Sequence, residues 1–286
     1  MHEGNRYIDS DAHVLEPSEM WKRYLEPRYR SQAPQHFVGY KDNPPAMTIE
    51  IRVGETILPD FEAGRVPEAY PGIAEAYGEY IDRGFDAGSY RMALDRTGFD
   101  YMALYPSVCQ YVVSIPSLPA DVAAAYRRAY NNWLYDFCSE DERLLGVCCV
   151  DLRDPGEAAR EARRCIGQLG FKAVAINPQP VGDLPFFDPF YDPLWSELEE
   201  LGVPLAVHPV IGTPSKEVAV DHFPNWVLGR VICGASLGLM VACLSIVAGG
   251  VLERHPKLQV VFLEGGSGWL PFWLDRMAAG IGGGRR

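Results

Sequence analysis

The sequence predicts an α/β fold, a (β/α)8 barrel of the TIM type that is incomplete, with about six βα units present. Two observations support this fold class. Short, continuously apolar segments alternate with helical segments from Arg91 onward, which is typical of parallel strands covered on both faces. No G-x-G-x-x-G or G-x-x-x-x-G-K motif opens a helix, so the usual reason for the alternative, a doubly wound open sheet, is absent.

The stretch at residues 7–13 begins as a short buried strand of three or four residues and runs directly into two carboxylates and an imidazole. Side chains two residues apart in a strand share a face, so we expect Asp11 and His13 to converge, with Asp9 one step deeper. A proline then keeps the chain out of helix, and residues 18–24 predict a short helix.

Prolines interrupt the chain between residues 26 and 81, although residues 47–53 alternate as a strand should and Gly54 ends them. We interpret residues 1–286 as a single barrel domain with a proline-rich insertion at about 26–90 that lies over the active-site mouth. The alternative is that this insertion is a flexible surface loop.

After this insertion the pattern is regular. A helix ends at Gly98, Asp121 is expected to cap a long helix that continues through Phe137, and Gly202 ends another helix. The remaining predicted elements are strands at 101–105, 144–150, 173–176, 204–207 and 258–263 and helices at 155–169, 193–201 and 269–277.

Composition restricts the class of partner. The net charge is -12, and no basic run precedes the terminal Arg285 and Arg286, so we expect no nucleic-acid partner. The seven cysteines form no C-x-x-C motif, and Cys148 and Cys149 are adjacent, which favours a reducing, cytoplasmic location over a disulfide framework. The first ten residues do not have the pattern of a signal peptide.

Residues 231–252 carry no charge and are long enough to span a bilayer by count. Glycines interrupt this segment, and no aromatic belt flanks it. We interpret it as a helix buried on most sides, whose small residues Gly234 and Gly238 allow close approach to another helix or a second subunit. A membrane-associated protein is the alternative, and we expect no membrane partner.

Polar residues that bind metals follow three of the predicted strands: Asp11 and His13 the first, His208 the fifth and Glu264 the sixth. The strands of a parallel barrel deliver such residues to one rim. Each motif alone is commonly structural, with Asp11 capping a turn and each histidine a buried polar residue. Their combination favours one divalent ion held by Asp11, His13 and His208, with zinc preferred and manganese or iron as alternatives.

Four motifs carry a resemblance to a known family. They are residues 8–17 with the sequence IDSDAHVLEP, residues 95–106, residues 192–208 with DPLW and GVPLAVH, and residues 249–276. In these motifs the sequence resembles the amidohydrolase-related proteins close to aminocarboxymuconate semialdehyde decarboxylase. The resemblance implies a distorted (β/α)8 barrel with one divalent metal and dimers formed through barrel helices.

The resemblance also implies a role for particular residues. Asp11 and His13 match the first two metal ligands of the family, and His208 matches the ligand from the fifth strand. Glu264 stands where several members have a histidine that handles protons, and a carboxylate there can act as a base if its pKa is suitable. His222 and Asp221 are weaker candidates for substrate contact.

The sequence departs from the family pattern after Glu264. The family has two further strands, and the last one carries a metal-binding aspartate. Here Asp275 is the only carboxylate beyond Glu264, and it lies in a predicted helix. We therefore expect an incomplete barrel with impaired metal binding and turnover, either a truncated product, a fragment, or a chain completed by a partner.

The leading hypothesis is a metal-dependent enzyme that acts on a small cyclic or aromatic carboxylated substrate, either by hydrolysis or by non-oxidative decarboxylation. His208 and Glu264 are the candidate catalytic residues. A homodimer is the expected assembly. The alternative hypothesis is a barrel without catalytic activity that binds a ligand or a partner.

Overall fold

The computed structural model describes residues 4–41, 46–58, 73–180, 182, 184–213, 218–219, 222–223 and 227–283. In this part of the chain the strands are β1 (Ile8–Val14), β2 (Gln35–Lys41), β3 (Ala46–Val53), β4 (Thr56–Leu58), β5 (Tyr101–Pro106), β6 (Leu144–Cys149), β7 (Ala173–Ile176), β8 (Leu205–Val207) and β9 (Val260–Phe262). The helices are α1 (Met20–Tyr24), α2 (Ile73–Asp82), α3 (Ala87–Thr97), α4 (Val108–Val113), α5 (Ala120–Cys138), α6 (Pro155–Gly167), α7 (Asp192–Leu201), α8 (Val227–Val231), α9 (Gly238–Val247), α10 (Val251–Arg254) and α11 (Leu270–Gly283).

Six parallel strands form the central sheet in the order β1-β5-β6-β7-β8-β9. This order follows the chain without the reversal that defines a doubly wound sheet. It is the arrangement of a (β/α)8 barrel with six of its strands, and the predicted fold class is confirmed. In the described residues β1 and β9 are the two edges, and each pairs with one neighbour.

The central strands are buried on both faces. In β7, Val174 and Ile176 belong to the main core, which also contains side chains of α5, α6 and α7. Ala173 and Ala175 point the opposite way and belong to a second, smaller cluster. This double burial explains why the strands are apolar without alternation, because neither face meets water.

The edge strand β1 differs from the prediction. Ile8 is 53% exposed and Tyr7, just before the strand, is 43% exposed, whereas Val14 at its end is fully buried. The prediction of a buried first strand was therefore wrong for its beginning. The cause is its edge position, since β1 has a neighbour on one side only in the described sheet.

The proline-rich insertion contains a packed sheet. Strands β2, β3 and β4 form an antiparallel meander, and Ile51 and Leu58 are 0% and 1% exposed. The alternative of a flexible surface loop is wrong for these residues, and the strand expected at 47–53 is confirmed. Residues 42–45 and 59–72 lie outside the described part. The limits of the insertion, about 26–90, and its position over the active-site mouth stay predictions.

The glycine helix ends are confirmed. Gly98 and Gly202 follow α3 and α7 with φ of 76° and 65°, a conformation that glycine adopts without steric cost. The predicted cap of α5 was wrong: Pro119 occupies the N-cap position, and Asp121 in the first turn accepts a hydrogen bond from the Tyr29 hydroxyl at 2.9 Å.

The apolar segment at 231–252 is mostly shielded from solvent, as predicted. It consists of the end of α8, a π-helical stretch at Ile232–Leu237, α9 and α10. Leu228–Val247 is long and apolar enough to cross a membrane, and half of it is buried inside the protein. Within 231–252 the exposed residues are Val231, Ile232, Val241 and Leu244. Gly234 and Gly238 are both buried within the chain, so they do not form the expected surface for a second subunit.

Candidate metal centre

Two imidazoles meet at the carboxyl ends of the barrel strands. His13 in β1 and His208 directly after β8 have their Nε2 atoms 2.9 Å apart, and the rings cross edge to face at 76°. His208 is 2% exposed and stacks on Tyr105 at the end of β5. The tips of the first and fifth parallel strands therefore converge, as the sequence predicted.

A backbone carbonyl oxygen lies next to the Nδ1 atom of each ring. His13 Nδ1 lies 3.1 Å from the Pro106 carbonyl oxygen, and His208 Nδ1 lies 2.8 Å from the Pro209 carbonyl oxygen. A carbonyl oxygen only accepts, so His13 Nδ1 donates its proton and His13 Nε2 is an acceptor. His208 Nδ1 also lies 3.0 Å from the amide nitrogen of Gln110, which is a donor. Two imidazole nitrogens 2.9 Å apart can bind the same metal ion when both are deprotonated.

Asp11 completes this group. Its Oδ1 lies 3.4 Å from His208 Nε2, is buried, and has no hydrogen-bond partner among the described residues. Ligand atoms of Asp11, His13 and His208 all lie within 4.8 Å of one another. Tetrahedral ligands with bonds of about 2 Å are about 3.3 Å apart. An orphaned carboxylate oxygen facing two imidazole nitrogens fits a divalent metal ion.

Asp9 does not join this group. The pairing of β1 with β5 shifts register between Asp9 and Ala12, which marks an irregularity in the strand. The Asp9 side chain instead accepts a hydrogen bond from the Asp11 backbone N–H at 3.1 Å. The expectation that Asp9 points the same way one step deeper fails because the strict alternation of a regular strand is broken here.

Burial lowers the pKa of His13. Desolvation, together with the neighbouring His208, lowers the pKa of His13 to about 4, while Asp11 opposes this shift. The imidazole is therefore neutral at physiological pH. A neutral imidazole is the form that binds a metal ion.

Glu264 lies at the rim of this group, where the sequence placed it. Its Oε2 is 3.5 Å from His208 Nε2, and its side chain is 55% exposed. Partial burial of the carboxyl raises its pKa, and Asp11 adds to the shift while His208 opposes it. Glu264 has a φ of 58°, an uncommon conformation for a residue other than glycine. A carboxyl with a raised pKa next to the ligands is suited to hold a proton.

Gln110 on α4 supports His208 from behind. Its Nε2 donates to the carbonyl oxygens of His208 and Pro209 at 3.0 and 3.2 Å and lies 3.0 Å from His208 Nδ1. Gln110 is buried. These bonds fix the backbone that presents the His208 ring, in the way that outer contacts commonly orient metal ligands.

Glu16 in turn holds α4. Its carboxylate accepts hydrogen bonds from the backbone N–H groups of Ser107, Val108 and Cys109 at 3.3, 2.9 and 2.9 Å, which are otherwise free at the start of the helix. Glu16 is 2% exposed. Burial raises its pKa to about 7, although these backbone donors favour the ionised form.

A cavity of about 570 Å³ lies at the ends of β5, β6 and β7, and its wall includes none of Asp11, His13, His208 and Glu264. Pro106 and Gln110, which contact His13 and His208, are part of its wall. Its size is in the range of small-molecule sites. The position at the carboxyl ends of parallel strands is the usual one for substrate in a barrel.

The comparisons with known proteins decide the family. The sequence profile of the Amidohydrolase family matches residues 8–280, nearly the whole chain. The chain belongs to the amidohydrolase family. Gamma-resorcylate decarboxylase from Rhizobium radiobacter is 32% identical over 222 residues, which are 75% of this chain and 64% of that protein. The chain thus spans less than two thirds of the length of this relative.

Two solved structures share the fold. An amidohydrolase from Mycobacterium avium subsp. paratuberculosis superposes with a TM-score of 0.72 at 20% identity, covering 98% of this chain and 78% of that one. 5-carboxyvanillate decarboxylase from Novosphingobium aromaticivorans, complexed with manganese and 4-hydroxy-3-methoxy-5-nitrobenzoic acid, gives 0.62 at 21% identity over 100% of this chain and 73% of that one.

Some candidate residues of this amidohydrolase lie elsewhere or were missed. His222 is exposed, and Asp221 lies outside the described residues. Gln110 and Glu16 were not predicted as functional residues from the sequence. Gln110 carries a usable signal, a single amide within the apolar run 108–113 directly after a strand. Glu16 carries none, because its partners are 91 to 93 residues away in the chain.

Proposed function

We propose that this amidohydrolase is a divalent-metal-dependent decarboxylase of small aromatic carboxylates. One observation carries the proposal: Asp11 Oδ1, which has no hydrogen-bond partner among the described residues, converges with the Nε2 atoms of His13 and His208. Its relative from Rhizobium is named as a decarboxylase of an aromatic acid. The match covers 64% of the length of the Rhizobium decarboxylase. The activity is therefore a proposal, with Asp11, His13 and His208 as its site.

The ligand atoms are one carboxylate oxygen and two imidazole nitrogens, which suit zinc, manganese and iron. Manganese in the decarboxylase from Novosphingobium supports manganese beside the zinc expected from the sequence. When bound, the ion would supply positive charge to the oxygens of the substrate and withdraw electron density from the ring. Asp11, His13 and His208 would hold it.

Glu264 is the proposed proton donor. In decarboxylation the bond between the ring carbon and the carboxylate carbon breaks, its electron pair stays on the ring carbon, and carbon dioxide leaves. The ring carbon then takes a proton, and Glu264, 3.5 Å from His208 Nε2, is the carboxyl placed to provide it. The half-exposed side chain can recover a proton from water for the next cycle.

The supporting residues act on the ligands and not on the substrate. Gln110 holds the backbone of His208, and Glu16 holds the start of α4.

The seven free cysteines support the proposed cytoplasmic location, since they require no oxidising compartment. A homodimer remains part of the proposal, as an assembly that does not use Gly234 and Gly238.

The test is release of carbon dioxide from 2,6-dihydroxybenzoate and related hydroxybenzoates by protein loaded with Mn²⁺ or Zn²⁺, with chelated protein as control. We expect turnover that depends on the ion and is lost in His13→Ala. Metal-dependent cleavage of amides or lactones without decarboxylation would instead support the hydrolase hypothesis. Ligand binding without any turnover would support the non-catalytic alternative.

A further inference from the structure

A tyrosine side chain bonds the end of β1 that carries the metal ligand His13. The Tyr90 hydroxyl of α3 donates to the His13 carbonyl oxygen at 2.8 Å and accepts from the Leu15 N–H at 3.2 Å. In a parallel sheet, a residue of the neighbouring strand forms the same pair of bonds, to one carbonyl oxygen and to the N–H two residues further on. In the described sheet β1 pairs with β5 alone, so the Tyr90 hydroxyl does here what a second neighbouring strand would do.

Tyr90 is itself fixed by its surroundings. The residue is 9% exposed, and its ring lies edge to face on Phe137 of α5, with the ring centroids 5.3 Å apart and the planes at 87°. Burial raises the pKa of Tyr90 well above its usual range, so the hydroxyl keeps its proton and can donate it to a carbonyl oxygen. A packed ring therefore presents this hydroxyl in one defined position.

A second contact, from the proline-rich insertion, holds the chain directly after β1. His36 in β2 has its Nε2 2.7 Å from the Glu16 carbonyl oxygen, and the Trp21 indole N–H donates to its Nδ1 at 3.2 Å. Because an indole nitrogen only donates, Nδ1 of His36 accepts, and Nε2 carries the proton that bonds Glu16. Burial lowers the pKa of His36, which favours this neutral form.

The segment between these two contacts, residues 13–16, contributes to the metal centre at both ends. At one end the Nε2 atom of His13 lies 2.9 Å from that of His208. At the other end the Glu16 carboxylate bonds the start of α4, and Gln110 of α4 donates to the His208 carbonyl oxygen. A displacement of this segment would therefore move one imidazole directly and the other through α4.

We propose that Tyr90 and His36 are positioning residues of the metal centre, which fix residues 13–16 so that the His13 imidazole faces His208. Both act through the backbone at the end of β1 and not by contact with the ion. The proposal rests on the proposed function in one respect, that the centre holds a divalent ion. It also assigns a role to the insertion, because β2 supplies one of the two contacts.

The first experiment removes one hydroxyl group. Tyr90→Phe deletes both bonds to β1 and keeps the ring that packs on Phe137. We expect the Kd for Mn²⁺ to rise by about tenfold, as for other outer partners of metal ligands. The visible absorption of Co²⁺-loaded protein, which depends on the geometry of the ligands, should change as well.

Tyr191→Phe is the matched control. Tyr191 is fully buried, and its hydroxyl donates to the Leu184 carbonyl oxygen at 3.1 Å, so the same atom and the same kind of bond are lost away from the metal ligands. This variant should have a lower Tm but the wild-type Kd for Mn²⁺ and the wild-type Co²⁺ spectrum. The comparison separates positioning of the ligands from general stability.

Two substitutions of His36 test the second contact. His36→Leu removes the donor to the Glu16 carbonyl oxygen, whereas His36→Gln retains an N–H that can reach it. We expect His36→Leu to raise the Kd for Mn²⁺ by about tenfold and His36→Gln to restore most of the affinity. A lower Tm in His36→Leu with an unchanged Kd and Co²⁺ spectrum would show a structural role alone.

Metal-free protein separates this inference from the proposed function. Spectra of protein labelled with ¹⁵N-histidine report the imidazole nitrogens, and His13→Ala identifies the signals of His13. We expect these signals to shift in Tyr90→Phe and to stay in place in Tyr191→Phe. Unchanged signals in folded Tyr90→Phe would overturn the positioning role and leave the metal site untouched. A wild-type protein that binds no ion would overturn the proposed function, and the shift would still establish that Tyr90 positions His13.

Discussion

His13 Nε2 lies 2.9 Å from His208 Nε2, although three strands separate β1 from β8 in the sheet. Neighbouring strands are about 4.8 Å apart, so in a flat sheet the two strands would be separated by about 19 Å. The contact therefore requires a sheet that curves toward closure, as barrel strands do. Curvature brings two ligands together that the sheet order alone keeps apart.

Metal binding should depend on both imidazoles. His13→Ala and His208→Ala each remove one of three ligands, so we expect metal content, measured by elemental analysis after dialysis, to fall from about one ion per chain to near zero. His222→Ala is the control, because the exposed His222 is outside this group and should retain the ion. Wild-type metal content in both ligand variants would refute the site.

Substitution of Glu264 should lower the rate of decarboxylation without lowering the metal content. Glu264→Gln keeps the shape of the side chain but cannot deliver a carboxyl proton, so we expect kcat for decarboxylation to fall by about 10²-fold to 10⁴-fold. Metal content should stay the same. Glu253→Gln, on the exposed face of α10, should leave kcat unchanged. Loss of the ion in Glu264→Gln would show that Glu264 is a ligand and not the proton donor.

Gln110 should act through His208. Gln110→Leu removes the hydrogen bonds to the carbonyl oxygens of His208 and Pro209. We expect the Kd for Mn²⁺ to rise by about 10-fold to 100-fold, as for other outer partners of metal ligands. Titration of chelated protein measures this change, and the exposed Gln168→Leu serves as the control. A lower Tm with an unchanged Kd would show a structural role alone.

Glu16 should make stability depend on pH. Burial raises its pKa from 4.5 to about 7 in the folded protein, so between these values the folded state holds a proton that the unfolded chain has lost. The free energy of unfolding should therefore fall as pH rises through this window, by about 3 kcal/mol.

Urea unfolding at several pH values tests this dependence on Glu16. Glu16→Gln cannot titrate, so its free energy of unfolding should lack this slope between about pH 4.5 and 7. Glu19→Gln changes an exposed carboxylate three residues away and should retain the wild-type slope. A Glu16→Gln variant with the full wild-type slope would assign the dependence to other groups.

Local patterns in the sequence determined the element types and the identities of the ligands. Apolar runs predicted β6, β7 and β8 because both faces of these strands are buried, and glycine predicted the ends of α3 and α7. Ligand residue types at the ends of three strands predicted the rim of the barrel. These features depend on neighbouring residues, so they can be read along the chain.

The tertiary structure decided which residues from distant segments of the chain come into contact. Only the fold shows that Asp9 turns away at an irregularity in β1, that Gly234 and Gly238 are buried, and that Gln110 holds His208. His13 and His208 are 195 residues apart in the chain. Their separation in space depends on the curvature of the sheet and on the packing around it, which no local pattern encodes.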